Sequence, residues 1–156
     1  MLFRDRWILF WATGCGTGKI PVAPGTFGSL PGLFLAWCVA GWHTGLLAFF
    51  TLAIGGFAVW VAHQAERIMG TKDPGAIVID EVVGMLVACL GLSLTPASAV
   101  ILFILFRLFD ILKPFPVGWL DKHLTGGVGI VADDVAAGIL ANLVYRAGSG
   151  LVALCI

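Results

Sequence analysis

Four separated stretches of the chain carry side chains that could do chemistry. Asp80 and Glu81 stand side by side in GAIVIDEVVGMLVACLGL, residues 75–92, an otherwise apolar run. Arg107, Asp110 and Lys113 recur every third residue in FRLFDILKPFP, residues 106–116. Asp133 and Asp134 form a second acidic pair in GGVGIVADDVAAG, residues 126–138. Lys19, Thr26 and Ser29 belong to GCGTGKIPVAPGTFGSLPG, residues 14–32. Carboxylates suit a hard cation. Cationic side chains, hydroxyls and the free backbone N–H groups of a Gly-rich loop at a helix start suit a phosphate. Asp80, Glu81, Asp110, Asp133 and Asp134 are therefore the candidate metal ligands. Lys19, Thr26, Ser29, Arg107 and Lys113 are the candidate phosphate ligands. Asp80, Glu81, Asp110 and Asp134 are also candidates for the catalytic work itself.

Each stretch also has a plainer reading. Carboxylates in the first turns of a helix gain about 0.3–1 kcal/mol each from the macrodipole. Arg107, Asp110 and Lys113 could form a salt-bridge ladder, with the lysine reaching the headgroups. The Gly-rich loop fails the P-loop pattern, because Thr13 stands where its first Gly is required and Ile20 where Ser or Thr should follow the lysine. It also lacks the arginine of a cysteine-dependent phosphatase loop: Pro21 stands six residues after Cys15. Weaker signals are His63 and Glu66, three residues apart, Asp73 before Pro74, and Asp121. His63 fits a hydrogen-bonded interface residue or a ligand, and Asp73 fits a turn.

These residues must be positioned by an unusually apolar chain. Of its 156 residues 60% are hydrophobic and 12% charged, against about 25% charged in ordinary domains, and the mean hydropathy is +1.03. No Asp, Glu, Lys or Arg occurs between Lys19 and Glu66. That run exceeds the roughly 20 apolar residues that cross a bilayer, with room for two crossings. An all-α integral membrane bundle follows, as a single domain. About five spans are expected, near 27–42, 45–65, 76–92, 97–112 and from Asp134 to Tyr145 or beyond, with Gly148-Ser149-Gly150 a possible break. Residues 6–12 are too few to cross and read as a short interfacial or re-entrant helix. The net charge of zero gives no case for a nucleic-acid partner.

The connections differ in charge. GWHTG and SLTP carry no Lys or Arg, whereas Arg4, Arg6, Lys19, Arg67, Lys72, Lys113 and Lys122 fall on the opposite side. The positive-inside rule makes that side cytoplasmic, with the N-terminus inside. All four polar stretches then reach the cytoplasmic membrane face at similar depth, which scattered solvated charges would not need to do. Gly84 and Ala88, following Asp80 at four-residue steps, predict a close helix approach there. IVIDEV (77–82) and IVADDV (130–135) also resemble each other, so an internal repeat could pair the two acidic stretches about a pseudo-axis.

The combination KIPVAPGTFGSL, HQAERIMG followed by DPGAIVIDEVVGM, FRLFDILKPFP and GGVGIVADDVAAG, in that order, resembles the phosphatidylglycerophosphatase A family from about residue 14 to 145. The resemblance implies a multi-pass lipid phosphatase of the bacterial inner membrane. It implies Mg²⁺ as cofactor, and phosphatidylglycerophosphate as the substrate, hydrolysed to phosphatidylglycerol and phosphate among the membrane lipids. The attacking group stays open between water and a carboxylate. A rival reading is a small ion- or proton-coupled transporter using the same carboxylates. Against it, the charges gather at one face rather than at the midplane. Oligomeric state is not legible.

Overall fold

A computed structural model describes residues 2–155, with side chains through Leu151. The fold is all-helical: α1 (Phe3–Ala12), a 3-10 segment (Gly14–Lys19), α2 (Pro24–Cys38), α3 (Thr44–Met69), α4 (Ile79–Cys89), α5 (Pro96–Leu112), α6 (Val117–His123) and α7 (Gly126–Cys155). The five expected spans correspond to α2, α3, α4, α5 and α7, and residues 6–12 to α1. Among the described residues two helices are long and apolar enough to cross a membrane, Thr44–Met69 and Gly126–Leu151. The apolar window of α3 is only 28% buried, so most of its apolar surface faces outward, the reverse of a soluble core helix. Phe34, Phe49, Leu52 and Ile104 add to that outward surface, each at least 58% exposed. An apolar exterior on this scale suits lipid rather than water, and the protein is a membrane protein. At 15, 11 and 17 residues, α2, α4 and α5 are shorter than a full crossing.

Helix α4 is the hub, packed against α2, α3, α5 and α7. Its contacts with α7 run in register, Gly84 against Asp134 and Gly138, and Ala88 against Asn142, so the two helices are parallel. A Cβ on Gly84 would lie 2.5 Å from Phe106 Cε2 and 2.8 Å from the Asp134 carbonyl, and one on Gly138 would strike the Gly84 carbonyl. The close approach expected at Gly84 is therefore present. The two glycines face each other, Gly84 four residues after Asp80 and Gly138 four after Asp134. Helices α3 and α5 run the other way: the end of α3 (His63, Glu66) meets the start of α7 (Gly126, Gly127), and the end of α5 (Lys113) meets Asp133.

Three local expectations need correction. Gly126, Gly127 and Gly129 do not form a loose approach to a helix opening at Asp133. They are its first turn, and the acidic pair lies two turns in. A Cβ at Gly127 would sit on the Val59 carbonyl and one at Gly129 would lie 2.7 Å from the Leu124 carbonyl carbon, so close packing selects these glycines. Second, Gly148-Ser149-Gly150 does not break α7. Third, α2 starts at Pro24 and a 3-10 segment occupies Gly14–Lys19. The presumed open loop thus satisfies several of its own N–H groups, with Gly16 and Gly18 donating to the Thr13 carbonyl, and Thr26 and Phe27 to that of Ala23.

At the opposite end of the bundle the short α4 stops with carbonyls that need partners. Asn142 Nδ2 donates to the carbonyls of Ala88 (2.9 Å) and Leu90 (3.0 Å). Arg146 Nη2 donates to those of Leu90 (3.0 Å) and Gly91 (2.9 Å). Arg146 lies about 18 Å along α7 from Asp134, and its guanidinium serves these backbone carbonyls.

Candidate active site

The first turn of α4, the end of α5 and the second and third turns of α7 meet at one end of the bundle. Asp80, Glu81 and Asp134 each bring a carboxylate oxygen within 4.8 Å of the others, and so do Asp110, Asp133 and Asp134. Asp80 and Glu81 diverge by about 100° on their helix. They nevertheless share Asp134 as a neighbour because the Gly84–Gly138 crossing brings α7 so close. The two acidic pairs and Asp110, distant in sequence, form one wall-to-wall cluster.

Two cations are built into it. Arg107 Nη1 lies 2.6 Å from Asp110 Oδ2 and 3.9 Å from Glu81 Oε1. Its Nε is buried without a hydrogen-bond partner, as are Asp80 Oδ1 and Glu81 Oε2. Lys113 caps α5 in the left-handed region, with φ 46°, and its Nζ donates to Asp121 Oδ1 at 2.6 Å and to Asp133 Oδ2 at 2.9 Å. Burial opposes the charge on Lys113, but the hydrogen bonds and charges of Asp121 and Asp133 outweigh it and hold the ammonium above the ordinary lysine range. No salt bridge reaches Asp80 or Asp134 among the described residues. Unpaired buried carboxylate oxygens and an unpaired guanidinium nitrogen are costly unless something binds there.

Helix α2 closes the site from the side. Gly25 is buried against the Glu81–Arg107 pair, and a Cβ there would fall on Glu81 Oε1 and within 3.0 Å of Arg107 Nη1. Thr26, next to it, is half-buried. Ser29 is fully buried and its hydroxyl donates to the Gly25 carbonyl at 2.7 Å. It therefore steadies the turn that carries Gly25, rather than standing open to a phosphate. Lys19 is exposed and forms no salt bridge among the described residues. Cys15 is exposed with φ 59° in the 3-10 segment.

Sequence reasoning gave Asp121 little weight, although the apolar-polar switch after Pro116 marks it as a surface position on α6. It is the second partner of Lys113. The weak signals at Glu66 and Asp73 also join the rim: Glu66 Oε1 accepts from the Asp73 N–H at 3.2 Å. With Asp121, Lys72 and Thr125 they line a cleft that runs to Asp133. Burial, chiefly, pushes the Asp73 carboxyl above its usual range, eased by Lys113 and reinforced by Asp121 and Glu66.

The phosphatidylglycerophosphatase A family profile matches residues 10–149, which contain every residue of this cluster. The chain belongs to the phosphatidylglycerophosphatase A family. A phosphatidylglycerophosphatase A from Escherichia coli K12 is 36% identical over 146 residues, covering 88% of this chain and 81% of that protein. One from Haemophilus influenzae is 38% identical over 138 residues, covering 87% and 85%. A Bacteroides thetaiotaomicron protein named as a candidate phosphatidylinositol-3-phosphatase is 35% identical over 143 residues, covering 81% and 84%. No solved structure matches the chain. The protein is thus an enzyme, a phosphatase acting on a phosphate monoester, and the transporter reading finds no support among its relatives.

Proposed function

We propose that this protein hydrolyses the terminal phosphate monoester of phosphatidylglycerophosphate, giving phosphatidylglycerol and inorganic phosphate, with Mg²⁺, at the cytoplasmic face of a bacterial inner membrane. The observation that carries the reading is the cluster of five carboxylates, two of them with unpartnered buried oxygens, facing a guanidinium with a free donor. An all-oxygen donor set of carboxylates suits a small hard cation, so the residues present fit Mg²⁺, which either Asp80, Glu81 and Asp134 or Asp110, Asp133 and Asp134 would hold. Bound there, the ion would neutralise phosphoryl charge.

The chain's own groups divide the remaining work. Arg107, fixed by Asp110 and Glu81, offers its Nε to a phosphoryl oxygen, and it is a fixed donor that need not reorganise as charge shifts. Lys113, held protonated between Asp121 and Asp133, keeps Asp133 oriented and adds positive potential. Gly25 lets the phosphate approach Glu81 and Arg107 without a side chain in the way, with Thr26 at the lip. Lys19 is free to meet the lipid's phosphodiester. Attack by water or by a carboxylate both suit this wall. The alternation of α2, α3, α4, α5 and α7, together with the basic residues of the site end, supports a five-helix arrangement with that end cytoplasmic.

The relatives' names differ in the alcohol that carries the phosphate, so substrate choice is the informative test. Purified protein in detergent micelles should release inorganic phosphate from phosphatidylglycerophosphate at least about tenfold faster than from phosphatidylinositol 3-phosphate, a difference of roughly 1.4 kcal/mol in barrier. No release from the first lipid, or a preference for the second, contradicts the proposal.

A further inference from the structure

We propose that the cluster holds two divalent cations bridged by Asp134, with unequal affinities; the inference rests on the cation-dependent reading above. The five carboxylates do not gather about a single point. Asp80 and Glu81 group with Asp134 on one side, Asp110 and Asp133 group with Asp134 on the other, and only Asp134 belongs to both. A Mg²⁺ ion bonds oxygen at about 2.0–2.1 Å, so the ligands of one ion lie within about 4.2 Å of each other. One ion can satisfy either group but cannot reach all five residues. Two ions sharing Asp134, one on each oxygen, can, and paired ions in hydrolytic sites stand about 3.5–4 Å apart.

A second observation points to a ligand independently of the acidity. Asp80 is 9% exposed, and its Oδ1 is buried with no partner, beside an equally unpartnered Glu81 Oε2. The charge balance agrees. The cluster, together with Asp121 on its lysine, holds six carboxylates, those of Asp80, Glu81, Asp110, Asp121, Asp133 and Asp134, against Arg107 and Lys113, a formal charge of −4 that two divalent cations would neutralise.

The two positions are not alike. In the Asp110–Asp133–Asp134 group, Arg107 already pairs with Asp110 at 2.6 Å and Lys113 with Asp133 at 2.9 Å. In the Asp80–Glu81–Asp134 group the nearest cation is Arg107, 3.9 Å from Glu81, and Asp80 has none. The first position to fill is therefore that of Asp80 and Glu81. The second fills more weakly, in competition with two built-in cations.

The test counts Mn²⁺ alone, without substrate, on the full chain in detergent, by equilibrium dialysis and electron paramagnetic resonance. The expected result is two Mn²⁺ per chain at saturation, bound in two steps at least about tenfold apart, with spin–spin coupling between them. Glu81→Gln should weaken the tight step, Asp110→Asn the weak step, and Asp134→Asn both steps and the coupling. Saturation of the wild type at one ion, or two ions without coupling, overturns the shared-ligand arrangement and leaves the cation-dependent reading intact. No bound Mn²⁺, with phosphate release persisting in excess chelator, strikes that reading itself. Should a variant fail to fold, the wild-type count and coupling decide alone.

Discussion

Gly25→Ala places a methyl group where the structure leaves no room for one. An ideal Cβ at this position falls on Glu81 Oε1 and lies 2.9 Å and 3.0 Å from Arg107 Nη2 and Nη1. Ordinary contact begins near 3.4 Å, so the Glu81 carboxylate must retreat by about 1 Å, and the guanidinium by a few tenths of that. Both are ends of flexible side chains, so the fold need not yield. Overpacking costs of about 1–3 kcal/mol are softened by that freedom and by the gain of up to about 1 kcal/mol for Ala over Gly in a helix. The net stability change should stay within about 1 kcal/mol, or roughly 2–4 °C in Tm for a chain of this length. Activity is another matter, since a misplacement of about 1 Å in a catalytic constellation can cost about 100-fold. Phosphate release in micelles and thermal unfolding in the same detergent are the paired assays. A fall in kcat/KM of that order with a nearly unchanged Tm is expected. Wild-type activity would refute the placement of Glu81 and Arg107 at the reacting phosphate, and a collapse of Tm would refute the argument that the strain is local.

Three further outcomes follow from named contacts. Arg107→Lys keeps the charge but loses the planar fork that spans Asp110 and Glu81, and should lower kcat/KM at least about tenfold, measured as phosphate release. Asn142→Ala removes the donor that Ala88 and Leu90 share. It should destabilise the fold by about 1–3 kcal/mol in thermal unfolding while leaving kcat unchanged, because this cap lies two turns beyond Asp134. The raised pKa of Lys113 sets a pH window. Its pairing contributes stability that is fully present below the unfolded lysine pKa of about 10.4 and is lost only as pH rises through the still higher folded value. The Tm difference between wild type and Lys113→Met should therefore be constant between about pH 7 and about pH 9, and a difference that shrinks over that interval would contradict the assignment.

The charge asymmetry of the loops predicted that Asp80–Glu81, Asp110, Lys113 and Asp133–Asp134 would meet at one end of the bundle, and the structure brings these residues together. The small residue at Gly84 was enough to place the tight crossing. What sequence could not supply were pairings set by tertiary packing. Lys113 finds Asp133 twenty residues away and Asp121 on an unforeseen short helix. Asn142 and Arg146 find the end of α4 across more than fifty residues. The glycines at 126, 127 and 129 read as loop because glycine is a poor helix former, yet they open α7: Gly126 has φ 66°, and Val59 and Leu124 leave no room for a Cβ at Gly127 and Gly129. Ser29 read as a phosphate ligand by its type, and only its burial against Gly25 reveals a supporting role. The length of α4 was overread for the same reason: its apolar run continues to Leu92, but the helix stops where Asn142 and Arg146 take its carbonyls.

Asp134 is the carboxylate common to both halves of the cluster. Asp134→Asn is nearly isosteric and should fold, which its thermal unfolding will establish. Phosphate release from phosphatidylglycerophosphate by the purified variant is the decisive measurement. A loss of about 1,000-fold or more, some 4 kcal/mol of barrier, is expected. A folded variant within about threefold of wild type, less than 1 kcal/mol, would contradict it and remove the carboxylate cluster from the chemistry.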